Sequence, residues 1–244
     1  MCENFQGYSH YKLVRFYIIG LQAWLISYLV KMAAQPNGIR SDVGELAAPA
    51  FLFDFSGAKD GHTRLQSKAC YARLRETVGR SYLEFAAAGR FDSNPITARL
   101  FNRKNKKGEI QEDDFDFAFL EQHFSDRAVR IGYAQPRASN VPEKHFELQP
   151  DTLRVLMLSL LPSDRGEAIP VDEVFTGLIE TWRIVVGGSG GDIGRLREQG
   201  YFGLDEEDLH SNVLAFIERL RSLNLAVEPS DGLVLCAIDV AGIL

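Results

Sequence analysis

The sequence predicts a mainly α-helical protein, a helical N-terminal region followed by an α+β C-terminal domain with the outline of a winged helix. Three observations predict it. Residues 204–238 read as one capped helix and then two short β-rich runs. Residues 62–85 place Cys70, Leu74, Val78, Tyr82 and Phe85 three to four positions apart, the period of one helix face. Residues 134–150 hold three prolines and little periodicity, so a domain boundary is expected there. The expected divisions are an apolar segment at 1–31, a helical basic domain at 45–135 and an acidic winged-helix-like domain at 150–244. A chain of 244 residues accommodates one large or two small domains.

Residues 13–30 form the one membrane-like stretch. Its uninterrupted part, about 15 residues from Phe16 to Val30, is short of the roughly 20 a span needs, and it contains Gln22. Lys12 and Arg15 suit a signal-peptide start, but Lys31 stands where small neutral residues should prepare cleavage. Three readings remain: a dispensable or non-native lead-in with Met32 as the true start, a membrane anchor, or a packed helix. Residues 33–49 carry Pro36, Gly38, Gly44 and Pro49, which is linker chemistry. Phe51-Leu52-Phe53-Asp54-Phe55 reads as a short strand ended by Ser56-Gly57.

The helix that opens at His62 is stopped by Gly89 and the Asp92-Ser93-Asn94-Pro95 cluster, and Pro95 starts another through Phe101. Acids from Glu112 to Asp116 then lead a helix with Phe115, Phe119, Leu120 and Phe124 on its apolar side, as the helix dipole favours. Residues 153–161 read as a core helix. Pro170 begins the next, through Trp182, and Ile184-Val185-Val186 is a short apolar run before Gly187-Gly188-Ser189-Gly190-Gly191. Asp205 is a good N-cap, with Asp208 placed to return the bond. Leu209, Val213, Ile217, Leu220 and Leu223 give that helix its stripe, and Pro229-Ser230-Asp231-Gly232 is turn chemistry between two strands.

Charge is unevenly spread. The net charge is −6. From Asp151 onward there are 16 acids and 7 arginines, whereas residues 59–107 hold 12 bases and 4 acids. Nucleic-acid contact needs several cations on one surface, because each phosphate engaged releases counterions. Arg64, Lys68 and Arg75 share a helix face, and Arg103, Lys104, Lys106 and Lys107 crowd one loop, so these seven are the candidate nucleic-acid-binding residues, for DNA or RNA. The opposing reading is a solvated basic surface, or one that docks on the chain's own acids. The C-terminal module carries the wrong sign for phosphate. Residues 205–224 hold five acids against Arg219 and Arg221, and the hairpin adds Glu228 and Asp231. A recognition helix needs Arg, Lys, Asn or Gln, so residues 205–238 are expected to meet a protein partner.

The glycine run invites two catalytic readings. Gly187-x-Ser189-x-Gly191 matches a nucleophile elbow, but 53 residues follow Gly191 and His210 is the last histidine, too little to complete a hydrolase. Gly188, Gly191 and Gly194 resemble a dinucleotide phosphate turn, yet there is room for at most one further βα unit. A loop between helices is the expectation, with no catalytic residue and no cofactor. His10, His62, His123, His145 and His210 are not at metal-ligand spacing, and Cys2, Cys70 and Cys236 are too far apart for a metal or disulfide pattern. Cys70 lies on an apolar helix face. A reducing, cytoplasmic compartment is the expectation, membrane attachment through residues 13–30 being the alternative.

The phrase Ile184-Val185-Val186-Gly187-Gly188, the helix bearing Asn212, and Leu223-Asn224-Leu225 with Ser230-Asp231-Gly232 resemble the winged-helix tails of assorted prokaryotic proteins. The resemblance covers about 75 residues and implies a fold, not an activity. Taken together, the expectation is a non-enzymatic protein that contacts nucleic-acid phosphates through its basic segment and a protein through its acidic module. The alternatives are a pure protein-interaction subunit of a larger complex, and a hydrolase using Ser189.

Overall fold

The computed structural model describes residues 10–33, 50–87, 117–136, 143–163, 167–229 and 232–238. More than half of the described residues are helical, with a few two-residue strands. The apolar N-terminal run is one helix, α1 (His10–Ala33). Its buried face carries Phe16, Ile19, Ala23 and Ile26. Gly20 lets it approach Val155 closely, since a Cβ there would lie 3.3 Å from that side chain. Strand β1 (Phe51–Leu52) and helix α2 (His62–Ala87) fall where the sequence places them. Helix α3 (Phe117–Arg130) ends in a hairpin of β2 (Ala134–Gln135) and β3 (His145–Phe146). Helix α4 (Pro150–Leu160) starts on a proline whose missing N–H would have had no helical partner.

Strand β4 (Ile169–Pro170) opens directly into α5 (Val171–Gly177), which continues as a wider π-type turn over Leu178–Trp182. Arg183 adopts left-handed backbone (φ 59°) and turns the chain into β5 (Ile184–Val185). A short helix, α6 (Asp192–Glu198), follows the glycine run. Helix α7 (Glu206–Ser222) has the full reciprocal cap, with the Asp205 side chain on the Asp208 N–H and the Asp208 side chain on the Asp205 N–H. Strands β6 (Ala226–Val227) and β7 (Leu235–Cys236) pair antiparallel, and β7 also pairs with β4, giving the order β4-β7-β6. Two elements expected from sequence, the helix at 95–101 and the acidic lead-in at 112–116, lie outside the described residues.

The two halves separated at 134–150 share one hydrophobic core. Phe146 sits at its centre, stacked on Phe53 (ring centroids 4.8 Å apart) and edge-on to Tyr71 and Tyr133. Each such aromatic pair adds about 0.5–1.5 kcal/mol beyond burial. Strand β1 then pairs in parallel with β5, Phe51 opposite Ile184 and Leu52 opposite Val185, so backbone hydrogen bonds join positions more than 130 residues apart. Cys70 and Cys236 are free and buried, and burial pushes their thiols up to about 11 and about 12. Neither is a nucleophile at neutral pH.

Candidate protein-interaction groove

A concavity of about 1140 Å³ runs along the outer face of α7. Four elements build it. Helix α7 contributes Glu206, Glu207, His210, Val213, Leu214, Ile217, Glu218 and Arg221, which recur at helical spacing on one side. The start of α5 contributes Val171, Asp172 and Phe175. The glycine run forms one end, and the β6–β7 hairpin brings Glu228, Leu233 and Val234 to the other. The floor is apolar: Leu214 is 51% exposed and Leu233 43%, beside the partly buried Val213 and Val234. The rim is acidic, with five carboxylates (Asp172, Glu206, Glu207, Glu218, Glu228) against one arginine. That arginine, Arg221, is held by Glu218 and Glu228, which keep it protonated beyond its ordinary range.

The opposite face of α7 is fixed in the core by Leu209, Asn212, Phe216 and Leu220. Asn212 is fully buried, and all its hydrogen-bonding capacity is used. Its Nδ2 donates to the Phe53 and Val186 carbonyls at 2.8 Å each, and its Oδ1 accepts from the Phe55 and Ser56 N–H groups at 2.6 and 3.2 Å. One side chain on α7 therefore ties together the segments that continue from β1 and β5, the pair of strands that joins the halves. Of the stripe read from sequence, Leu209, Ile217 and Leu220 are buried and Val213 and Leu223 are partly buried against the core; Asn212 and Phe216 widen that buried face.

The glycine run is built for close packing. Gly187 has φ +111°, and a Cβ there would lie 2.8 Å from Leu209 Cβ; one on Gly188 would lie 2.1 Å from the Phe175 ring. The hydrogen bonds of Ser189 stay within its own loop. Its N–H donates to Asp192 at 3.0 Å and its Oγ accepts from Arg195 at 3.4 Å. Burial raises the Asp192 carboxyl, against the Ser189 N–H and Arg195, which lower it; the net direction is up.

Of the seven cations predicted to contact phosphates, Arg103, Lys104, Lys106 and Lys107 lie outside the described residues. Arg64 is inside the fold. Its Nε donates to the fully buried Asp54 at 2.7 Å, and its Nη2 lies 3.7 Å from Glu147. Lys68 pairs with Glu143 at 3.0 Å, and Arg75 is half-buried on the same helix. Arg64 and Lys68 thus meet around the hairpin of β2 and β3, facing the protein's own carboxylates. Glu147 also accepts from Arg219 (3.3 Å) and lies 3.2 Å from His145. Burial would raise Glu147, but His145 and Arg219 outweigh it and hold the carboxyl below its ordinary value. Among the described residues no three His, Cys, Asp or Glu side chains come together as a metal site.

Sequence reasoning missed Asp172 and Phe175 as groove residues, because the pairing that brings α5 beside α7 is long-range. Leu214 carried a local signal, standing next to Val213 and widening the apolar stripe beyond what one packed face requires. No protein-family model matches the chain, and no curated protein and no solved structure matches it.

Proposed function

We propose that this protein is an interaction subunit, in which a winged-helix-like unit receives a basic, amphipathic helical segment of a partner protein. The unit comprises α4, β4, α5, α7 and the β6–β7 hairpin. What supports the winged-helix reading is the order of these elements and the strand order β4-β7-β6, with β7 between the other two. The single observation that carries the functional reading is the groove, an apolar floor inside a rim of five carboxylates and one arginine. Amphipathic helices bind by laying an apolar face into such a channel, with anchors at i, i+3, i+4 and i+7. A negative rim selects cationic flanks and repels phosphate, so the same surface disfavours nucleic acid. Leu214 and Leu233 are the anchor points, as exposed leucines that line a concave surface.

The test uses three fluorescent model peptides of equal length, one helical and built of Leu and Lys, one of Leu and Glu, and one of Lys and Ser. The Leu/Lys peptide binds saturably and more weakly as salt rises, while the other two do not. Leu214→Glu abolishes the binding. Equal binding of the Leu/Glu peptide, or no effect of Leu214→Glu, refutes the reading.

Nucleic-acid contact stands as a second reading. It rests on Arg103, Lys104, Lys106 and Lys107, four cations within five residues, which repel one another unless an anion is near. The Arg64 and Lys68 face lends it little, because these side chains already hold carboxylates.

A further inference from the structure

We propose that α1 lies in the plane of an anionic membrane surface, with an apolar aromatic stripe at the headgroup boundary and an arginine cluster on the lipid phosphates. The stripe is the face of α1 turned away from the core. Tyr11 (77% exposed), Val14, Tyr17 (71%), Ile18, Leu21 and Trp24 (55%) follow one another at helical spacing. They cover four turns, about 20 Å of helix. Tyr and Trp are the residues that settle at a membrane–water boundary, where an apolar body and a polar tip are both satisfied. No helix among the described residues is long and apolar enough to cross a membrane. The opposite face of α1 is in any case occupied, with Phe16 and Ile19 packed against Val155. A helix held on one side by protein and apolar on the other can lie on a bilayer but not stand in it.

A second feature points to the same ligand. A cavity of about 640 Å³ adjoins the stripe, lined from α1 by Tyr11, Val14, Arg15 and Ile18 and from the end of α3 by Arg127 and Arg130. Its one carboxylate, Asp151, is engaged by Arg15 at 2.6 Å. Arg127 and Arg130, at the end of α3, are exposed and form no ion pair among the described residues. Apolar wall and the exposed guanidinium groups of Arg127 and Arg130 meet at one edge, as acyl chain and phosphate do in a lipid. The sign is opposite to that of the groove along α7, so the two surfaces take different ligands.

The experiment is flotation of the full chain with vesicles of phosphatidylcholine alone and of phosphatidylcholine mixed with phosphatidylglycerol, read together with tryptophan emission. The chain has two tryptophans, and Trp182 is buried, so a blue shift on binding reports Trp24. The protein floats with the mixed vesicles, its emission shifts blue, and added salt weakens the association. Replacing Arg127 and Arg130 by Gln lowers partitioning about fivefold each, about 25-fold together, as the loss of one juxtamembrane charge apiece dictates. Leu21→Glu removes binding to either vesicle, while its melting temperature stays that of wild type. Absence of flotation with the mixed vesicles overturns the proposal, and so does flotation that survives Leu21→Glu. Concentration-dependent dimerisation in lipid-free solution, abolished by Leu21→Glu and unaccompanied by flotation, overturns it too by giving the stripe to a second copy of the chain.

Discussion

Replacing Asn212 by Ala tests how the two halves of the chain are held together. The substitution removes a side chain that is fully buried and makes four hydrogen bonds to backbone groups of the segments that follow β1 and β5. The Ser56 N–H keeps a partner, the Asp54 carboxylate at 3.1 Å. The Phe55 N–H and the Phe53 and Val186 carbonyls lose the side chain that satisfied them. Each buried group left without a partner costs about 1–3 kcal/mol, so the low end of the sum is about 3 kcal/mol. For a chain of this size that lowers the melting temperature by about 6–12 °C. The assay is urea and thermal denaturation followed by circular dichroism, with Asn212→Asp as a companion that keeps the acceptor and loses the donor. Asn212→Asp falls between wild type and Ala only if its added charge is tolerated, so the Ala variant decides. A loss below about 1 kcal/mol refutes the claim that this side chain joins the halves.

Three further outcomes follow from the same geometry. Glu147 is held below its ordinary carboxylate value by His145 and Arg219. Its contribution is therefore present above the unfolded value and lost as pH falls through the folded one. Glu147→Gln should flatten the acid limb of a stability-against-pH curve measured by urea midpoint, and an unchanged limb rejects the assignment. Gly188→Ala drives a methyl into the Phe175 ring and should cost about 1–3 kcal/mol as overpacking does, whereas Gly190→Ala, with open space around it, should be within about 0.5 kcal/mol of wild type. Reversing Lys104, Lys106 and Lys107 to Glu should weaken binding to mixed-sequence DNA or RNA by a similar factor for every sequence and reduce the salt slope. No detectable binding by wild type at about 50 mM salt removes the nucleic-acid reading.

Much of the fold was legible because it is local. The cap at Asp205 and the helix that opens at His62 are each written within a few residues. What the sequence hid is long-range or polar. Nothing near Phe51 announces a parallel partner at Ile184, so a segment boundary was placed where the core runs through. Asn212 gave no packing signal by residue type, and only its four backbone partners make it a core residue. Arg64 reads as a phosphate contact by charge and spacing, yet the buried Asp54 ten residues earlier is its partner. The acids of residues 205–228 were legible as a surface hostile to phosphate, but their convergence with Phe175 and Leu233 into one channel depends on how β4 meets β7.

The groove's selectivity is the account's central claim, and a charge swap at its rim tests it most directly. Glu206 and Glu207 are exposed in the first turn of α7 and line the groove. Changing both to Lys leaves the apolar floor intact and inverts the sign of one rim. Affinity for the Leu/Lys and the Leu/Glu peptides is measured on wild type and on the double variant, with amide chemical-shift mapping to place the contact. Preference passes from the Leu/Lys to the Leu/Glu peptide, with shifts in both cases confined to α7, the start of α5 and the β6–β7 hairpin. Unchanged preference, or shifts that map elsewhere on the chain, contradicts it.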